Sequence, residues 1–146
     1  MNRLVVLAEV AGRKCAFRSE DVRSVIEMTE ITPVPLAPPH VLGITALRSQ
    51  ALTVIDCRVA VGEAPTEWHS ESRAAVVQVD GHAYALLIDA IDDVATAHDD
   101  PQNLPGGFGK MWDRVAHGMV ETDLGPMLLL DIAALIEAPA RHADAA

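Results

Sequence analysis

The chain has 146 residues, half of them apolar, and its 11 Lys and Arg against 21 Asp and Glu leave a formal charge of −10. The length suits one domain, and the apolar fraction excludes an intrinsically disordered chain. The few, dispersed basic residues exclude a nucleic-acid partner, and no apolar run reaches the ~20 residues of a membrane-spanning helix. With only two Phe, two Trp and one Tyr, we expect an aliphatic core.

The cysteines and the first residues indicate the compartment. Cys15 and Cys57 both lie in apolar stretches, which is typical of buried free thiols in a reducing environment. The apolar run before Glu9 has only five residues, 4–8, fewer than the ~7–15 of a signal-peptide core. We therefore expect a cytoplasmic protein without direct membrane insertion.

Short extended segments dominate the chain. Residues 4–10 and 15–17 flank a glycine-containing turn, and residues 74–79 and 83–88 flank Asp-Gly, a dipeptide typical of tight hairpins. Helical patterns are few and short. Further strands are predicted at 22–28, 43–47, 51–55, 91–97, 118–121 and 126–130, and helices at 19–22, 58–62 and 132–137.

The chain also contains an internal repeat. Gly12 falls on Gly81 at a shift of 69 residues, and Gly43 falls on Gly118 at a shift of 75. Aspartates match as well, since the second shift carries Asp56 onto Asp131. Glycines and aspartates in register are harder to obtain by chance than apolar matches, so we infer a duplication.

The repeat predicts the domain organisation. The first copy spans about 4–62 and the second about 73–137, with a polar linker at 63–72 and a C-terminal tail at 138–146. Short, regularly spaced strands favour small closed barrels. We therefore expect a mostly β protein in which each copy forms one small barrel and the two barrels pack together.

No motif for catalysis or for a metal is present in the sequence. His-x-x-x-His, Cys-x-x-Cys and Gly-x-Ser-x-Gly are all missing, so we predict no catalytic residue, no metal and no cofactor. A small β-barrel enzyme stays open as an alternative. It would require His82, His98 and His117 to converge in one pocket.

Residues 31–58 carry the most information. A proline-stiffened connector leads into a strand marked by Gly43, Arg48 stands at a hairpin turn, and the returning strand ends at Asp56. By position alone, Arg48 is equally well an ordinary solvated turn residue. Asp56 is best interpreted as the N-cap of the short helix that follows.

These residues resemble a known family. Ile-Thr-Pro-Val-Pro from Ile31, Pro-x-x-Val-x-Gly-Ile-x-x-Leu-Arg ending at Arg48, and Leu-x-Val-Ile-Asp-x-Arg ending at Arg58 are similar to the signature of the CheW-like coupling proteins of bacterial chemotaxis. The second half also resembles the family at 85–94 and 126–135. The resemblance covers residues 4 to 137, nearly the whole chain.

The resemblance implies a fold and a function. The fold is a single CheW-like domain over 1–140, made of two SH3-like five-stranded β-barrels with short helices. The function is that of a non-catalytic adaptor, which binds the regulatory domain of a CheA-type histidine kinase and the cytoplasmic tip of a methyl-accepting chemoreceptor. The alternative is a CheW-like scaffold that serves a different kinase pathway, such as twitching motility.

The resemblance also implies site residues. Arg48 and Gly43 match family positions for receptor binding, and Val22 and Val25 match apolar positions of the groove between the barrels. The kinase is expected on an apolar edge strand of the second barrel, at Val77 and Val79. One departure concerns the turn, because Ser49 stands where the family usually has a glycine, which predicts a different turn shape.

Overall fold

A computed structural model describes residues 3–103 and 109–137, and the predicted tail at 138–146 lies outside them. Among the described residues, no helix is long and apolar enough to cross a bilayer. The strands are β1 (Arg3–Val10), β2 (Arg13–Arg18), β3 (Val22–Glu27), β4 (Val41–Leu47), β5 (Gln50–Asp56), β6 (Arg73–Val79), β7 (His82–Leu87), β8 (Ala90–Ala97), β9 (Ala116–Thr122) and β10 (Gly125–Leu130). The helices are α1 (Cys57–Ala60), α2 (Lys110–Val115) and α3 (Ile132–Ile136), with a 3₁₀ turn at Ser19–Asp21.

The strands form two five-stranded units. One is a closed barrel in the order β1-β2-β10-β9-β8, and the other, which we call the second sheet, has the order β3-β6-β7-β5-β4. The prediction of a mostly β fold with two five-stranded units and short helices is confirmed. The barrel closes through a short contact between β8 and β9, which pair at Ala97 and Thr122.

The prediction that each repeat forms its own barrel is wrong, because the two repeats exchange strands. Strands β1 and β2 complete the barrel of β8, β9 and β10, while β6 and β7 pair with β3 and β5 in the second sheet. Two parallel pairings, β2 with β10 and β5 with β7, join the copies. Local patterns specify the hairpins, but they do not specify which sheet a hairpin joins.

The strand registers nevertheless follow the internal repeat. In the barrel Leu128 pairs with Cys15, and the shifts of 75 and 69 convert this pair into Thr53 and Tyr84, which pair in the second sheet. The two hairpin turns also match, since Ala11 and Asp80 have φ of 51° and 52°. The two units are therefore similar to each other and are related by an approximate twofold symmetry, with each repeat contributing strands to both.

Apolar side chains form three clusters. One fills the barrel, and a second packs on one face of the second sheet. The largest, which we call the shared core, lies between the two units and under the helices. Strand β10 illustrates the consequence, because Met127 and Leu129 belong to the barrel cluster while Leu128 and Leu130 belong to the shared core. Burial on both faces explains the continuous apolar runs of the sequence.

The prediction that Val77 lies on an exposed edge strand is wrong. Strand β6 lies between β3 and β7, and Val77 is fully buried in the shared core. Val79 is partly buried and packs against the same cluster. A charge introduced at Val77 would therefore enter the shared core and unfold the chain rather than test a binding surface.

The predicted linker is held against the second sheet. Asp56 is fully buried, and its carboxylate accepts hydrogen bonds from the Thr66 amide at 2.9 Å and the Thr66 hydroxyl at 2.7 Å. It also accepts the Arg58 amide at 3.1 Å, which confirms the predicted helix cap. Trp68 packs against the cluster on one face of the second sheet. Residues 63–72 therefore act as a strap rather than a free spacer.

A single arginine connects the three helices. The Arg114 guanidinium, on α2, donates to the carbonyl of Ala134 in α3 at 2.6 Å and to the carbonyl of Ala60 in α1 at 3.0 Å. Carbonyls in the last turns of helices lack intrahelical donors, and a cation stabilises them. Arg114 thereby fixes the helices over the shared core.

Gly43 and Gly12 provide a matched test of backbone constraints. Both have positive φ, but a Cβ on Gly43 would collide with the Thr32 carbonyl, whereas no atom lies within 4 Å of a Cβ on Gly12. We expect Gly12→Ala to lower the free energy of unfolding by about 1 kcal/mol and Gly43→Ala by about 3 kcal/mol. Urea denaturation measures both losses, and equal losses would contradict the predicted contact.

The buried thiols provide a second test. Burial raises the pKa of Cys15 from 9.0 to about 12 and also raises the pKa of Cys57. We expect a thiol reagent at pH 8 to modify neither cysteine in the folded protein and both in guanidinium chloride. Because the folded pKa is the higher one, the stability that this shift contributes is complete below pH 9 and is lost towards pH 12. Rapid labelling of the folded protein would contradict the buried placement.

Candidate functional site

Arg48 lies at the tip of the β4–β5 hairpin. Leu47 pairs with Gln50, so Arg48 and Ser49 form a two-residue turn, and their φ values of 51° and 72° are those of the mirror-image turns that hairpins favour. The predicted turn position of Arg48 is confirmed. Within the described residues, the exposed guanidinium has neither a hydrogen-bond nor an ion-pair partner, so its donors are available to a binding partner.

An apolar surface adjoins this turn. Along β4, Gly43 and Thr45 are buried, whereas Ile44 and Ala46 are exposed. Ile44 is 40% exposed and lines a shallow depression of about 350 Å³ that extends to Ser49. Glu30 and Gln50 also line the depression, and Arg48 lies next to it at the hairpin tip.

Val22 and Val25 lie on the same side of the second sheet. Val22 pairs with Val77 and Val25 with Ala75, and paired residues share a face, so both valines are on the side that carries the shared core. Val22 is partly buried against that core, while Val25 is 42% exposed. Both belong to β3, which lies at the opposite end of the strand order from β4, the strand that carries Gly43 and leads to Arg48.

Gly43 shapes the β4 surface indirectly, because it determines how closely the proline-containing connector that precedes β4 can lie against this strand. The amides and carbonyls of Thr32 and Ile44 exchange two hydrogen bonds of 2.9 and 2.8 Å directly beside it. Because any side chain at Gly43 would collide with Thr32, the glycine allows the connector to lie on β4. Its role is to position the surface of Ile44 and Arg48.

A polar cavity of about 180 Å³ lies where the two units meet. Burial, reinforced by Glu20, raises the pKa of Asp21, while Arg18 opposes this effect. Sequence spacing could not identify this cavity, because strand exchange brings its residues together from both repeats. Its lining includes Arg18, Asp21, Gln78, Val79, His117 and Asp131.

The structure does not bring the three histidines of the enzyme alternative together. His98 lies 2.7 Å from Asp123, and His117 lies 3.7 Å from Asp131 in the polar cavity, which neither His82 nor His98 lines. Among the side chains that the structure describes, no group of three or more His, Cys, Asp and Glu is placed to hold a metal ion. The condition for a histidine-based site is therefore not met.

Comparison with known proteins identifies similar chains. The model of the CheW-like domain family matches residues 4–140. The chain is 28% identical to the chemotaxis protein CheW of Rhizobium meliloti (strain 1021) over 143 residues, which cover 97% of this chain and 92% of the relative. It is also 28% identical to the chemotaxis protein CheW of Thermotoga maritima, over 91% of this chain and 87% of the relative.

A solved structure shows a similar fold. The crystal structure of the scaffolding protein TtCheW from Thermoanaerobacter tengcongensis superposes with a TM-score of 0.80. The match covers 94% of this chain and 90% of that one, at 23% sequence identity. The likeness therefore extends over both five-stranded units.

The strained turn generates a prediction at Ser49. A non-glycine residue with φ of 72° costs roughly 1–2 kcal/mol, and glycine loses about 0.5–1 kcal/mol more backbone entropy on folding. We therefore expect Ser49→Gly to raise the free energy of unfolding by about 0.5–1 kcal/mol. Ser24→Gly, in the exposed strand β3, is the control and should lower it. Urea denaturation compares them, and destabilisation by Ser49→Gly would contradict the turn geometry.

Proposed function

The chain belongs to the CheW-like domain family, and we propose that it is a non-catalytic adaptor that couples chemoreceptors to a histidine kinase in bacterial chemotaxis. The observation that carries the proposal is the family match over residues 4–140, together with relatives named chemotaxis protein CheW. These names favour chemotaxis over another kinase pathway such as twitching motility. Coupling of this kind requires neither a catalytic residue nor a cofactor.

The proposed receptor partner is the cytoplasmic tip of a methyl-accepting chemoreceptor, which places the adaptor in the cytoplasm. A helical hairpin presents an apolar stripe, and the exposed parts of Ile44 and Val25 suit such a stripe. The free guanidinium of Arg48 then supplies a planar pair of donors for a carboxylate or backbone oxygen on the receptor. Gly43 holds the connector on β4 beside Ile44, while Val22, on β3, packs against the shared core.

The proposed kinase partner is the regulatory domain of a CheA-type kinase. Val77 can influence this contact only through the fold, since it is buried in the shared core. Val79 lines the polar cavity between the units, so a partner that covers the cavity can reach it. The main kinase surface must also remain accessible while the receptor is bound, because coupling requires both partners at once.

The receptor proposal predicts the effect of a charge reversal at Arg48. We expect Arg48→Glu to weaken receptor binding about tenfold or more, because the exposed arginine is replaced by a charge that repels acidic partners, with no change in unfolding midpoint. Co-sedimentation with receptor-containing membranes measures the binding. Lys110→Glu, which makes the same charge change at the exposed start of α2, is the matched control. Equal binding by wild type and Arg48→Glu would refute the assignment.

A further inference from the structure

Leu36 is the most exposed large apolar side chain of the described residues, with a relative accessibility of 103%. It occupies the third position of a turn in which the Ala37 amide donates to the Val34 carbonyl at 3.3 Å. Pro35 precedes it, and its own φ is 64°. A proline followed by a residue of positive φ is the arrangement of a type II turn, which prefers glycine or asparagine at the position of Leu36.

Leucine is unfavourable at this position for two independent reasons. A branched side chain with positive φ is strained, and an apolar side chain fully surrounded by water gains nothing from folding. Glycine or asparagine would form the same turn at lower free energy. The folded chain by itself therefore does not account for a leucine here, and a strained, exposed apolar residue indicates contact with a partner.

The turn presents Leu36 on a rigid support. Pro33, Pro35 and Pro38 restrict the backbone on both sides of it. The Thr32–Ile44 hydrogen bonds anchor the start of the connector, and the buried His40 ring, with Nε2 2.7 Å from the Ile136 carbonyl, anchors its end. A side chain that is already held in place loses little conformational entropy on binding.

The surroundings of Leu36 favour an apolar partner surface. Residues 31–47 contain no Asp, Glu, Lys or Arg, although the whole chain carries a formal charge of −10. Val34, in the same turn, is 39% exposed. A partner that contacts this turn therefore meets no charged side chain from residues 31–47, and the contact gains its free energy from apolar burial.

We infer that Leu36 is an apolar anchor for the regulatory domain of the CheA-type kinase: its side chain fills an apolar pocket on that domain. The inference rests on the proposed function, since an adaptor that holds two partners at once needs two separate surfaces. Arg48 directly follows the C-terminal end of β4, whereas the connector with Leu36 precedes its N-terminal end. The seven residues of that strand separate the two by about 20 Å.

The test replaces Leu36 with asparagine, which suits a positive φ and removes the aliphatic side chain. We expect Leu36→Asn to keep or raise the unfolding midpoint, to weaken binding of the purified kinase regulatory domain about tenfold, and to leave receptor co-sedimentation unchanged. Calorimetry measures the kinase affinity. Leu124→Asn, which changes a leucine 65% exposed at the β9–β10 turn, is the matched control.

The outcomes separate this inference from the proposed function. A wild-type chain that binds the kinase domain, combined with equal binding by Leu36→Asn, overturns the role of Leu36 alone. Weakened receptor binding or loss of self-association, with kinase binding intact, assigns the anchor to another partner and overturns the inference. A wild-type chain that binds neither kinase nor receptor overturns the proposed function itself, and the kinase anchor with it.

Discussion

The structure depends on the burial of both faces of its central strands. Strand β10 contributes Met127 and Leu129 to the barrel cluster and Leu128 and Leu130 to the shared core, so each residue of this run is removed from water. Neither five-stranded unit could keep its outer face apolar alone, because that face would be exposed to solvent. The strand exchange follows from this constraint, since it joins the units through backbone pairing as well as through packing.

The polar groups inside this apolar assembly serve to position chain segments. Asp56 is fully buried, and three donors from Arg58 and Thr66 satisfy its carboxylate, which closes the strap onto the second sheet. Arg114 satisfies carbonyls of two helices, and His40 joins the proline connector to α3. A buried polar group stabilises a fold only when it has partners, so each of these contacts specifies one arrangement of otherwise interchangeable aliphatic surfaces.

The two similar halves carry different surfaces. The shift of 75 residues relates the Arg48–Ser49 turn to Asp123 and Leu124, yet Asp123 is engaged by His98 at 2.7 Å, whereas Arg48 has no partner among the described residues. The connector with Leu36 likewise adjoins the second sheet rather than the barrel. A duplicated scaffold with unequal turns can present distinct contacts to two partners, which suits an adaptor that must hold both together.

The sequence by itself determined the aliphatic core, the strands, the Asp-Gly and Arg48 turns, the cap at Asp56 and the resemblance to a family, because these depend on neighbouring residues or on motifs in fixed order. Only the tertiary structure decided that the repeats exchange strands, that Val77 is buried, and that Arg18, Asp21 and His117 share one cavity. Hairpin patterns specify local pairing but not the sheet that a hairpin joins. Apolar valines are equally suited to a core and to a binding surface, so their exposure emerges only from the packing of distant segments.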